Sequence, residues 1–312
     1  MRSKLEVKAI GMNSRDINPI DITRFGIECG GIVTKTGSDV NNLAVGNRVA
    51  CLSLNNGVYS TLTRTKARFA FQIKDNLDFQ DAASMPVAYS TAYYGLIDLG
   101  RLLKEERVLI HGAGSAVGQA SICLAQNLGA EVSAIVRSIE SKEYLMKTFG
   151  LHEDQISLDL QEQSNKSGFE MVFNCVPTDA DTMRALWSSL SNFGRFVAIK
   201  DTDSNAIARF ETAGLQKNRS FMSVDLLSIA LERPRLMERL LIDVSEFIKQ
   251  GNTKPLYLTI FSISNVEEAF NSLRNANLDG KMVVLPQAGA MVKVRALIPL
   301  SHCVDYANDN TN

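Results

Sequence analysis

The sequence predicts an α/β fold: a parallel sheet covered on both faces, preceded by an antiparallel β segment. Three observations carry this expectation. Up to about Asp81, short β-rich runs alternate with Gly- and Asn-containing turns. From about Ser84, nearly continuous apolar runs alternate with amphipathic stretches, the pattern of strands buried on both faces by helices. A glycine-rich turn at residues 111–118 joins the first such run to the first such helix.

Taken in order, residues 30–33, 48–52 and 58–62 have strand composition. Between them lie Gly37-Ser38-Asp39, Val45-Gly46-Asn47 and Asn55-Asn56-Gly57, turn chemistry because Gly and Asn tolerate positive φ. Residues 107–111 form a short apolar strand. Val117, Ala120, Leu124 and Leu128 then fall on one helical face, which Gly129 ends. Strands follow at 131–136, 170–175 and 194–199, with an amphipathic stretch at 183–190 before the last. A charged helical region covers 234–250. Ser264 and Glu267 stand at capping-box spacing ahead of a further helix, with Ser264 as the N-cap. Residues 281–285 form a closing strand, and the tail 287–312, which ends Asn308-Asp309-Asn310-Thr311-Asn312, is expected to be disordered.

Composition narrows the function classes. The 312 residues are 45% hydrophobic and 21% charged, enough for one large or two modest domains. A net charge of -1 provides no broad field for nucleic acid or an anionic membrane, so neither is expected as a partner. No apolar run is long enough to span a bilayer, and the amino end lacks the apolar core of a signal peptide. The five cysteines (Cys29, Cys51, Cys123, Cys175, Cys303) form no CxxC pair, which suits a reducing, cytoplasmic setting.

The turn His111-Gly112-Ala113-Gly114-Ser115-Ala116-Val117-Gly118 lies where a dinucleotide loop belongs, between a strand and a helix start. Small residues at Gly114, Ser115, Ala116, Val117 and Gly118 let backbone amides approach a pyrophosphate, and the helix N-terminus adds partial positive charge. The competing reading is that the glycines only allow close strand–helix packing. The next strand ends at Val136-Arg137-Ser138, without the Asp or Glu that binds the ribose hydroxyls of NAD. Arg137, Ser138 and Lys142 offer charge and hydrogen bonds to a 2′-phosphate instead, so NADPH is the expected cofactor. The alternative is that Arg137 and Lys142 form an ordinary solvated face.

Four motifs resemble the medium-chain enoyl reductases, in particular the enoyl reductase domain of highly reducing polyketide synthases, similar to that of animal fatty acid synthase. They are Gly11-Met12-Asn13-Ser14-Arg15-Asp16, Gly26-Ile27-Glu28-Cys29-Gly30-Gly31, Ala88-Tyr89-Ser90-Thr91-Ala92-Tyr93-Tyr94-Gly95 and Val108-Leu109-Ile110-His111. The resemblance, covering about residues 4–286, implies a Rossmann-type parallel sheet domain inserted in a GroES-like β domain built from both ends of the chain. The β domain is expected to be N-terminally truncated, with its first strands missing. The implied layout is residues 1–90 for the amino-terminal part of the GroES-like domain, 91–222 for the NADP(H)-binding domain, and 223–286 for the return to the substrate domain. The implied activity is NADPH-dependent reduction of an α,β-unsaturated thioester on an acyl carrier or CoA. A homodimer or a place within a larger synthase is implied as well, with strand 281–285 as a contributor to edge pairing.

Zinc-dependent relatives carry His where this chain has Ile27 and Cys where it has Asn13, so no metal is expected. The resemblance assigns a Lys after the strand ending at Ile199, and Asp225, to the neighbourhood of the nicotinamide. Thr91 is implied as a cofactor contact and Asn174 as a strand-end group facing the nicotinamide ribose. For Asp225 the residues alone allow a helix N-cap, and for Thr91 and Asn174 a satisfied turn or strand-end polar group.

The departures from the family pattern are specific. Two loop glycines are replaced by Ser115 and Ala116, where a Cβ is expected to limit phosphate approach and, at positive φ, to strain the turn. Restoring both glycines is accordingly expected to strengthen NADPH binding. The family's Gly-Lys pair is replaced by Lys200-Asp201, which shifts the catalytic lysine role onto Lys200 or abolishes it. Ser14 stands where an aromatic is common, and the link between residues 156 and 170 is near the lower limit for a parallel crossover. Three readings therefore stand side by side: an active enoyl reductase, a degenerate module that keeps the fold without turnover, and a zinc-free quinone oxidoreductase.

Overall fold

Two sheets organise the chain in the computed structural model, which describes residues 2–17, 25–54, 57–160, 162, 168–199, 217–274, 279–287 and 289–292. The first sheet is built around β1 (Arg2–Gly11), whose alternate side chains are buried, as a strand with one solvated face requires. β2 (Glu28–Thr36) lies antiparallel to β1, β3 (Arg48–Leu52) to β2, and β5 (Ala70–Gln72) to β3. β4 (Leu62–Lys66) also pairs with β1. From the other end of the sequence, β13 (Lys281–Leu285) lies antiparallel to β1, and β12 (Leu258–Ser262) runs parallel to β13. The β domain thus draws on both ends of the chain, as the resemblance implied.

The second sheet is parallel throughout. It comprises β6 (Arg107–His111), β7 (Glu131–Ile135), β8 (Ile156–Ser157), β9 (Phe169–Asn174), β10 (Leu190–Ile199) and β11 (Ser220–Val224), in the order β11-β10-β9-β6-β7-β8. This is the Rossmann order, and its topological switch point lies between β6 and β9, where the connections leave in opposite directions. Helices α2 (Ala116–Leu128) and α3 (Ile139–Phe149) follow β6 and β7, and α4 (Ala180–Ser188) follows β9. Helix α1 (Phe79–Tyr93) lies between the two sheets, packing on β1, β2 and β3 and also on α2. One large core accordingly runs from Leu52 and Phe71 through Tyr89 and Ala92 to Val108 and Ile110, continuing into α6 (Pro234–Lys249) at Met237 and Leu240.

Several expectations need correction. Residues 58–61 are bends, and the strand begins at Leu62, where the buried alternation of Thr63 and Thr65 sets its register. Ser262, not Ser264, caps the next turn: its side chain accepts from Ser264 N (3.3 Å), a 3-10 turn spans Ile263–Asn265, and α7 covers Val266–Arg274. β13 is flanked by β1 and β12, so the edge expected to pair with a second copy is already occupied. Within the 156–170 link, residues 161 and 163–167 lie outside the described residues, as do Lys200, Asp201 and the tail from 293 onward. Among the described residues, no helix is long and apolar enough to cross a membrane.

Candidate functional site

The glycine-rich turn is built as a helix entry. Gly112 takes φ +71, the left-handed conformation that turns the chain out of β6. Ser115 is the N-cap of α2 in an extended conformation (φ -67, ψ 162); its hydroxyl accepts from Gly118 N (3.1 Å) and donates to Gly112 O (2.7 Å). Neither Ser115 nor Ala116 has positive φ, so the strain expected from losing two glycines is absent. The close approach falls instead at Gly118, where a Cβ would collide with Gly112 O and Ala113, so that glycine serves strand–helix packing. The first-turn amides of Ala116 and Val117 have no intrahelical acceptor, and the turn delivers them to the carboxyl ends of the strands.

At the switch point, β6 ends at His111 and β9 at Asn174. His111 Nδ1 lies 2.7 Å from Asn174 Oδ1, and Asn174 Nδ2 donates to Thr178 Oγ1 (2.8 Å). Asn174 is fully buried, so both ends of its amide are satisfied by its neighbours. Burial depresses the His111 pKa, with the neighbouring Arg137 adding to the effect; a neutral ring donating from Nδ1 is the form that satisfies Asn174. His111 is a strand-end group that sequence reasoning quoted only as part of a motif.

The three residues proposed for a 2′-phosphate diverge in space. Arg137 is exposed just beyond β7. Ser138 caps α3, accepting from Ser141 N (3.1 Å), and donates its hydroxyl to Asp279 Oδ2 (2.9 Å). Lys142 departs from the expectation: its ammonium lies 3.1 Å from Glu153 Oε1 in the following turn, because one helical turn beyond Ser138 carries the side chain toward β8.

A cleft opens between the two sheets. Asn13, Ser14, Arg15, Ile27, Leu52 and Leu54 form the antiparallel-sheet side. Facing them are Thr91 of α1, Val117 of α2, Ile199 of β10, and Leu226, Leu227 and Ala230 of α5 (Leu226–Glu232). The wall is mainly apolar, and Thr91 and Val117 are the predicted cofactor residues that reach it. Asp225 is the N-cap of α5, accepting from Ser228 N (3.2 Å) and Ser228 Oγ (2.6 Å). Its Oδ1 also meets Arg15 Nη2 at 3.0 Å, which ties the two halves together across the cleft. That partner, 210 residues away, left no signal in the sequence around Asp225.

Behind the cleft lies a buried polar cluster. Glu28 is fully buried and forms an ion pair with Lys281, itself 6% exposed. Glu28 Oε1 accepts from Asn13 Nδ2 (3.0 Å), and Oε2 accepts from Val87 N (2.8 Å), the amide after Pro86 inside α1. Lys281 also donates to Asn13 Oδ1 (2.7 Å). Asp16 accepts from Asn13 N (3.1 Å) and from the Tyr59 hydroxyl (3.3 Å), and burial pushes its carboxyl up to about 6.

Comparison with known proteins agrees with this geometry. A family model described as zinc-binding dehydrogenase matches residues 123–284. The chain is 38% identical over 306 residues to highly-reducing polyketide synthase 1 of Aureobasidium melanogenum, a match covering 94% of this chain and 14% of that protein. It is 36% identical over 286 residues to highly reducing polyketide synthase 40 of Fusarium mangiferae, covering 88% of this chain and 11% of that protein. The chain thus spans a small part of the length of the curated relatives it matches. The solved structure of the CurK enoyl reductase superposes with a TM-score of 0.79 at 27% identity, covering 92% of this chain and 91% of that one. The family description implies zinc, but the donor set does not fit it. The Glu28 carboxylate is already neutralised by the Lys281 ammonium, and among the described residues no three His, Cys, Asp or Glu side chains cluster to hold a metal. With a Rossmann sheet, a β domain closed by both chain ends, and relatives above 30% identity over nearly its whole length, the chain belongs to the zinc-binding dehydrogenase family, in the enoyl reductase branch found within highly reducing polyketide synthases.

Proposed function

We propose that this chain is an enoyl reductase unit that uses NADPH to reduce the α,β-double bond of an acyl thioester, presented on an acyl carrier or CoA, as one part of a larger synthase. The observation that carries the reading is the cleft itself, in which the amino end of α2 meets an apolar wall contributed by both sheets. The turn at 114–118 would hold the pyrophosphate through the Ala116 and Val117 amides, with Arg137 offering charge to the 2′-phosphate and Thr91 lining the path inward. Asn174, at the switch point, fixes His111 and shapes the ribose end of the crevice. A nicotinamide bound there supplies hydride for the β-carbon of the thioester. The chain's own part is to exclude water with Val87, Ile199, Val224 and Leu226, and to deliver a proton to the α-carbon. Of the two groups assigned to that proton, Asp225 is engaged by Arg15 and Ser228, which makes Lys200, outside the described residues, the first to test.

The engagement of Asp225 also favours a second reading, a folded unit that binds cofactor without turnover. The experiment is calorimetric titration of the purified chain with NADPH, followed by NADPH oxidation with a crotonyl pantetheine thioester and with a quinone. Binding in the micromolar range with thioester-dependent oxidation is the expected result. Binding without oxidation supports the inactive reading, oxidation with the quinone alone supports a quinone oxidoreductase, and a folded sample that binds nothing overturns the cofactor site.

A further inference from the structure

The corner between the glycine-rich turn and the end of β7 is where a strand–turn–helix site receives the adenosine ribose, and an acidic side chain there is what rejects a 2′-phosphate. On β7 itself that acid is missing, since the strand runs out into Arg137 and Ser138. The fold delivers one from elsewhere. Asp279, on the segment that returns to β13, reaches this corner from 141 residues away along the chain. Its Oδ2 accepts from Ser138 Oγ (2.9 Å), and its Oδ1 lies where a Cβ on Gly114 would collide with it. The segment is pinned there by backbone bonds: Gly280 N donates to Gly114 O (2.7 Å), and Lys281 N donates to Tyr257 O (2.7 Å).

We propose that Asp279 is a cofactor-specificity residue of this chain, supplied by the β domain to the adenosine end of the Rossmann site, where it disfavours the 2′-phosphate and narrows the preference for NADPH over NADH. The proposal rests on the reading that the turn at 112–118 holds the cofactor. Two features of the corner argue for it. The small cavity there is lined by Gly114, Glu140, Ser141, Tyr144, Tyr257 and Asp279 among others; that lining carries two carboxylates and no Lys or Arg. The Ser138 hydroxyl, which a 2′-phosphate would otherwise recruit, is already donated to Asp279. Lys142, the other cation at hand by sequence, is turned away to Glu153. Arg137, exposed just beyond β7, favours the phosphate, and the Asp279 carboxylate held on the neighbouring Ser138 opposes it.

The test is fluorescence titration of the full chain and of Asp279→Asn with NADPH and with NADH. Asparagine keeps an acceptor for Ser138 and removes the charge. The expected result is that Asp279→Asn tightens NADPH by about tenfold relative to NADH, a change of the size one nearby unit charge produces in a partly solvated site. Arg137→Ala is the control, expected to weaken NADPH and leave NADH nearly unchanged. If both nucleotides bind the wild-type chain and Asp279→Asn leaves their ratio unaltered, the proposal is overturned while the cofactor site stands. If the folded wild-type chain binds neither nucleotide, the site reading fails and takes the proposal with it.

Discussion

Asp16, Glu28 and Lys281 are ionisable side chains at 3%, 0% and 6% exposure, gathered around Asn13 behind the cleft. Glu28 and Lys281 neutralise one another and are held by Asn13 and by Val87 N, so removing either would leave an unpaired buried charge. Asp16 differs. It faces Lys281, Glu28, Asn13 and Tyr59, its burial outweighs the pull of the Lys281 charge, and its carboxyl is raised from 3.8 to about 6. A carboxyl raised in the folded state is protonated more readily there than in the unfolded chain. Its contribution to stability is complete below the unfolded value and is lost as pH rises through about 6. The chain should therefore lose about 1 kcal/mol of stability through Asp16 between pH 5 and pH 7. Denaturant unfolding at the two pH values should show that loss, and Asp16→Asn should abolish it. Equal pH dependence in the two proteins would place the proton elsewhere.

For the secondary-structure elements, the entry to α2 teaches most. Reading Ser115 and Ala116 as lost glycines predicts a strained, obstructed loop. Folded, Ser115 is an N-cap whose hydroxyl turns back onto Gly112 O and Gly118 N, and Ala116 is the first residue of the helix. The positive φ falls on Gly112, which remains glycine. Ser115→Gly combined with Ala116→Gly should then destabilise the chain by about 1 kcal/mol, through loss of the cap and added backbone freedom. It should not tighten NADPH binding. Thermal unfolding and nucleotide titration check the two halves of this prediction, and tighter binding would restore the obstructed-loop reading. The same local rules misplace the cap ahead of α7, where Ser262 and Ser264 offer equivalent side chains two residues apart. Only the backbone path decides which of them meets a free amide.

The whole molecule depends on contacts between the two ends of the sequence. β13 fills the position between β1 and β12, and the Ile10↔Val284 and Gly11↔Val283 pairs join the amino-terminal strand to the carboxyl-terminal one. A chain cut after residue 256 would lose β12 and β13. It would leave β1 without that neighbour over its last residues, and Glu28 buried without Lys281. Such a truncation should fail to give a protease-resistant core, whereas the full chain should resist limited digestion. Resistance equal to that of the full chain would show that the return segment is dispensable.

The parallel sheet, four of its six strands (β6, β7, β9 and β10), the turn at 111–118, the Gly129 helix stop and the closing strand at 281–285 were legible in the sequence, whereas the two edge strands β8 and β11 were not. The legible elements are set by local periodicity and by glycine conformations that neighbours in the chain specify. The family was legible for the same reason, since its motifs are contiguous. The tertiary structure alone decided the partners of the charged groups: Arg15 with Asp225, Lys142 with Glu153, Lys281 with Glu28, and Ser138 with Asp279. A side chain's charge is written in the sequence, but the charge that meets it is set by how the chain folds back. In three of these four pairs more than 130 residues separate the partners, so no local pattern could encode the match.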